Sequence, residues 1–187
     1  KLLDKRSDVI IVAKDRGDYN TVTEAVAHSS DGAYIVVYPG NYEDEKIEAW
    51  GKEINIIGLS RENTIISNQT STYSTPPVEI GKGSLENLTI IAKAGSGISN
   101  DSNGWYPYGV HTEENNLKDG KLIIRNCHIE SELNAAYGLG MRGGCTVRIE
   151  NSDIIGTGET SKGLYFHDAS TVAYAGIQTL EVINSRI

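Results

Sequence analysis

The sequence has little of what builds disulfides, helical cores or nucleic-acid surfaces. It contains two cysteines, one phenylalanine and one methionine in 187 residues. Cys127 and Cys145 cannot form a disulfide framework; a single bridge between them and two separate thiols both remain open. With four scattered histidines they show no zinc spacing, so no metal site is expected and nothing calls for a cofactor. Basic residues are also few, 17 Lys and Arg against 25 Asp and Glu. A net charge of −8 argues against nucleic acid and against an anionic membrane surface, which both reward clustered Lys and Arg. No apolar run approaches the ~18 residues of a membrane-spanning helix, and no signal-peptide pattern is visible. What is abundant is glycine (20), tyrosine (10) and β-branched residues, a mixture that favours short strands and turns.

Four segments share one pattern of apolar, variable, Asn, small or apolar, polar, Ile. They are LENLTI (85–90), IRNCHI (124–129), IENSDI (149–154) and VINSRI (182–187). Their asparagines, Asn87, Asn126, Asn151 and Asn184, are separated by 39, 25 and 33 residues (126−87, 151−126, 184−151). A strand-like unit recurring at that interval signals a solenoid, and the unequal intervals place growing and shrinking loops on one side of each coil. Asn donates, accepts and tolerates left-handed backbone, so a ladder of corner amides buried between coils is expected. Cys127 occupies the position that Ser152 and Ser185 fill in later copies, which reads as a small stacked residue.

Other elements surround the repeat. VIIVA (9–13) reads as a strand. The next stretch places Val22, Ala25 and Val26 on one helical face, with Asn20 or Thr21 as cap and Glu24 in the first turn. AYIVVYPG (33–40), EINIIG (53–58) and NTIIS (63–67) read as strands, and 68–77 and 93–107 as polar loops. A second repeat, YGVHTE (108–113), YGLGMR (137–142) and KGLYFH (162–167), puts Gly before an alternating segment. Alternation turns Val110, Leu139 and Leu164 inward, followed by Thr112, Met141 and Phe166. In the Asn repeat it turns Leu122, Val147 and Leu180 inward, then Ile124, Ile149 and Val182. Each coil thus carries at least two kinds of strand. The expected architecture is all-β: a right-handed parallel β-helix with a short N-terminal capping helix. An antiparallel sandwich is the competing reading. A single domain is expected over 1–187, with strand and helix in 1–32 and coils in 33–187, read as a segment of a longer chain.

From Asp18 to Asn68 the chain resembles the start of the pectinesterase family, within the wider group of pectin-lyase-like β-helix proteins. The resemblance runs through DYNTVTEAVA, AYIVVYPGNYEDE, EINIIG and ENTIIS. It covers roughly the first third; the remainder matches only as generic coils. At Gly40-Asn41-Tyr42-Glu43-Asp44 the family pattern G-x-Y-x-E has Asp in place of Glu. The resemblance implies an esterase with an Asp nucleophile, a second Asp as acid/base, an oxyanion-holding Gln and an orienting Arg. The motifs that carry these in the family, Q-A-V-A-L, G-Y-Q-D, G-T-V-D-F-I-F-G and L-G-R-P-W, are missing. Asn134 stands where an acid is wanted, and an amide cannot shuttle a proton. Glu159, in IGTGE, falls at the nucleophile's position. The acidic calcium cluster of the neighbouring pectate lyases is not found either.

Two groups of residues remain as candidates. Aligned on its glycines, the second repeat yields an outward column Glu113, Arg142, His167, with Glu114, Gly143 and Asp168 beside it. Such a face could perform acid/base chemistry or bind sugar, or it could be a charge ladder that solubilises the sheet. Glu86, Arg125 and Glu150, and His128, Asp153 and Arg186, form similar alternations. Trp105, Tyr106 and Tyr108 close a Gly/Ser/Asn-rich loop just before His111, and Tyr165 extends the group. These aromatics either stack on sugar rings or plug the gap beneath the loop. The expectations are a carbohydrate-binding β-helix, catalytically diverged, recognising cell-surface polysaccharide as part of a phage tail or secreted protein. Its location would be extracellular or virion-associated. An active lyase or esterase using the Glu113/Arg142/His167 face, and a structural spacer, are the alternatives. A trimer would suit a tail protein, although the chain carries no coiled-coil heptads.

Overall fold

The computed structural model describes residues 9–70, 76–95, 108–112, 120–140, 145–167 and 179–187, with backbone alone at Thr70 and His167. Among the described residues, one helix, α1 (Val22–His28), accompanies seventeen strands. After β1 (Val9–Val12) the strands repeat in threes. β2 (Ala33–Val37), β3 (Gly40–Tyr42) and β4 (Ile47–Ala49) form one coil, and β5 (Ile54–Gly58), β6 (Thr64–Thr70) and β7 (Val78–Ile80) the next. β8 (Gly83–Glu86), β9 (Thr89–Ala94) and β10 (Tyr108–Thr112) follow, then β11 (Lys121–Arg125), β12 (His128–Ser131) and β13 (Ala135–Gly140). The last full coil is β14 (Thr146–Glu150), β15 (Asp153–Gly156) and β16 (Lys162–His167), and β17 (Thr179–Ile183) opens another. The first strand of each coil joins a seven-stranded sheet A, the second a five-stranded sheet B and the third a five-stranded sheet C. All strand pairings are parallel, which removes the sandwich reading. The fold is a right-handed parallel β-helix, the hand that parallel crossovers take.

The inward columns explain the periodicity. Ile35, Ile56, Leu85, Ile124 and Ile149 lie in register on sheet A and are fully buried. Each such side chain contributes about 1.5–3 kcal/mol of burial. Val182 continues the column but is 42% exposed, and Phe166 of β16 is 46% exposed. Both were expected inside. They lie on the last described strands of sheets A and C, where no described strand stacks beyond them.

At the first end, α1 buries Val22, Ala25 and Val26 against the solenoid, with Thr21 as the cap accepting from the Glu24 amide. Its first amides are held from an unexpected quarter. Val22 N–H donates to Glu45 Oε1 at 2.9 Å and Thr23 N–H to Oε2 at 2.7 Å, and Glu45 is 2% exposed. The acid that matters in the GNYEDE turn is therefore Glu45, one residue past Asp44, which occupies the left-handed region at φ 58°.

The asparagine corners differ from expectation in one respect. Asn87, Asn126, Asn151 and Asn184 all adopt positive φ, 56°, 51°, 49° and 48°, between the sheet A and sheet B strands. Their side chains do not form a continuous buried ladder. Asn126 donates to Asn87 Oδ1 and Asn87 to the Gly58 carbonyl, each at 2.7 Å, while Asn126, Asn151 and Asn184 are exposed. What repeats is the left-handed turn, which Asn adopts at little cost. The stacking runs one residue further on. Cys127 N–H donates to Ser152 Oγ and Ser152 N–H to Ser185 Oγ, at 3.0 and 3.1 Å. Cys127 and Cys145 are unbridged and buried. Burial raises their thiols to about 12 and about 11.

Candidate functional site

Sheet C carries the second repeat on its outer face. One outward column runs Glu48, Glu79, His111, Gly138, Tyr165, each opposite the next. This register corrects the glycine alignment of the repeat. Val110 pairs with Tyr137 and Tyr137 with Leu164, so Gly109 and Gly163 share a column while Gly138 stands two residues further along. The reason is length: β13 starts at Ala135, three residues before its glycine, whereas β10 and β16 start one residue before theirs. Gly140, not Arg142, lies opposite His167. Of the expected column, Glu113 and Arg142 lie outside the described residues, as do Asp168 beside it, Trp105 and Tyr106, and His167 is placed by its backbone alone.

The described members of the candidate set do come together. His111 Nδ1 is 3.2 Å from Glu79 Oε1, with both side chains largely buried. The Tyr108 ring stacks on His111 with centroids 4.8 Å apart and lies 6.4 Å from Tyr165 at a similar tilt. Gly138 makes this possible, because a Cβ there would sit 2.6 Å from the Tyr108 ring. Tyr108 is only 4% exposed. It fills the space over Gly138 and supports its neighbours, so Tyr165 and His111 are the rings nearer solvent.

Lys162 Nζ stands 5.2 Å over the Tyr165 ring and 3.2 Å from Asn134 Oδ1. Asn134 occupies the corner between β12 and β13 and is 6% exposed, and its Nδ2 has no hydrogen-bond partner among the described residues. Glu159 sits on the equivalent corner of the next coil, exposed, between β15 and β16. Glu79, Lys162 and the orphaned Asn134 amide were not legible as a group in the sequence. Their signal was available only for Glu79, which alternates with buried Val78 and Ile80 as His111 does with Val110 and Thr112.

Chemically, a carboxylate facing one imidazole nitrogen fixes the ring's orientation and can hold a proton there. The stacked rings with Lys162 offer an apolar face edged by donors, the arrangement that suits a sugar ring. No cluster of three or more His, Cys, Asp or Glu side chains suited to a metal ion occurs among the described residues.

The other charged columns are ladders. On sheet A, Arg125 bridges Glu86 at 3.1 Å and Glu150 at 2.8 Å, and Arg148 contacts Glu150 and, at 3.3 Å, Glu181. Hydrogen bonds from Arg125 and Arg148 hold the Glu150 carboxyl below its ordinary value. On sheet B, Asp153 lies beside His128 and contacts Arg61 and Arg186. Burial alone would raise the Asp153 carboxyl, but the Arg61 hydrogen bond and the charges of Arg186, Arg61 and His128 outweigh it and lower it.

No family model and no curated protein matches the chain. Among solved structures it is similar to a pectin methylesterase from carrot, with TM-score 0.53 and 21% identity, over 79% of this chain and 52% of that one. A pectin methylesterase mutant in complex with a hexasaccharide matches at TM-score 0.47 and 14% identity, over 93% of this chain and 65% of that one. The chain therefore spans about half to two thirds of the length of these structures. The carrot structure establishes a shared parallel β-helix fold.

Proposed function

We propose that the outer face of sheet C binds carbohydrate, in a β-helix whose later coils have diverged from pectin methylesterase chemistry. The observation that carries this reading is the stacked group Tyr108, His111 and Tyr165, built over Gly138 and edged by Glu79 and Lys162. The resemblance of residues 18–68 to pectinesterases and the carrot structure's fold support the substrate class. Asn134 at the place of an acid supports binding without turnover. A cell-surface polysaccharide is the ligand in view, met outside the cell as part of a phage tail or secreted protein.

Glycan-array binding with a parallel assay for released sugar or methanol tests this. Retention of a glycan by the parent, lost in Tyr165→Ala with circular dichroism unchanged and no product formed, is the expected result. Product release that disappears in His111→Ala would instead favour the enzyme reading, for which the His111–Glu79 contact is the specific support. Failure to retain any glycan would leave a spacer.

A further inference from the structure

A groove of about 350 Å³ crosses the outer face of sheet A, separate from sheet C. Its floor is the outward row Tyr34, Asn55, Ser84. Asn55 and Ser84 are 9% and 4% exposed and hydrogen-bonded to each other, with Ser84 Oγ 3.1 Å from Asn55 Oδ1. Tyr34 is 48% exposed and forms one wall. Gly83 lies beside this row with φ 105°, and a Cβ there would lie 2.0 Å from the Ile54 carbonyl oxygen, so the two backbones meet closely at that point.

The rim of this groove breaks the charge rule followed elsewhere. In the Glu86–Arg125–Glu150 and Arg148–Glu181 rows opposite charges pair, and where Glu48 stands opposite Glu79 each carboxylate has a partner of its own, Lys46 and His111. Along the groove the register that sets Leu122 opposite Gly83 places Lys121 beside Lys82. Two ammonium groups one rung apart repel each other. Neither forms an ion pair with a carboxylate of the described residues. Glu53, opposite Lys82 in the same row, forms no ion pair with either lysine among the described residues, and Glu86 is taken by Arg125. The chain holds the carboxylates of its sheet A and sheet B ladders with arginines, which match that planar geometry. Lysine, a compact point charge, suits a tetrahedral anion.

We infer that this groove binds a saccharide or polyol unit bearing a phosphate group. The phosphate lies between Lys82 and Lys121, which relieves their repulsion. The ring rests on Tyr34, and its hydroxyls reach the Asn55 and Ser84 side chains and Glu53. This site is independent of the one on sheet C.

Calorimetric titration of the whole chain with α-glucose 1-phosphate, glucose, glucuronate and inorganic phosphate provides the test. The expected result is binding of glucose 1-phosphate that weakens as salt is raised. Affinity should fall about tenfold in each of Lys82→Gln and Lys121→Gln. Tyr34→Ala should lose it further, and Tyr165→Ala should leave it unchanged. Backbone amide shifts of Gly83 and Ser84 on titration would locate the ligand. The inference is overturned if glucose 1-phosphate does not bind, or if the double lysine variant, folded by circular dichroism, binds it as the parent does. Equal binding of glucose or glucuronate overturns the phosphate, and equal binding of inorganic phosphate overturns the saccharide.

Discussion

Glu45 shows how a single side chain can join distant parts of this chain. It lies 23 residues beyond Val22 yet accepts that residue's amide and the amide of Thr23, so one buried carboxylate holds the open turn of α1 onto the first coil. The helix has only seven residues and would not persist alone. A negative group at its N-terminus also meets the positive end of the helix dipole. Glu45→Ala would leave two amides without their partner, that of Val22 buried and that of Thr23 partly buried. The expected loss is about 2 kcal/mol in urea unfolding, and Glu45→Gln, which keeps an acceptor, should lose less. Equal stability of Glu45→Ala and the parent would show that the end cap contributes nothing to the solenoid.

At the scale of the strands, the faces are organised by register. The Arg125–Glu86–Glu150 and Arg186–Asp153–Arg61 contacts tie three coils together across sheets A and B. Glu150 and Asp153 have folded-state carboxyls lowered from the ordinary 4.5 and 3.8. Their contribution is therefore present above those values and is lost as pH falls through the depressed folded values. The urea midpoint of the parent should fall as pH is lowered from 5 towards 2. In Glu150→Gln, which has no charge to lose there, the fall should be shallower. Identical pH profiles for the two proteins would show that the ladder is ornamental to stability. The same register explains why the expected Glu113, Arg142, His167 column was misread. Glycine spacing gave the right column for Gly109 and Gly163 but not for Gly138, which lies two residues further along, under the Tyr108 ring.

The whole molecule is a stack in which each coil pairs its strands only with those of its neighbours, so stability should vary along the axis. Ile56, Leu85 and Ile124 are fully buried in the middle coils, whereas β17 presents Val182 and Ile183 at 42% and 37% exposure. Native-state hydrogen exchange should find the slowest amides in β5, β8 and β11 and markedly faster ones in β17. Uniform protection through Ile183 would mean that the solenoid opens only as one unit. The sequence by itself determined the coil. Alternation set the buried rows, and four asparagines marked the left-handed corners, because both depend on local backbone geometry. It also held the resemblance that named the fold. Only the tertiary structure decided which residues meet, since rungs 21 to 39 residues apart are brought together by registers that loop length and sterics set. That is why His111 and Glu79, Asn134 and Lys162, and the unpaired Lys82 and Lys121 were not readable as sites until the coils were stacked.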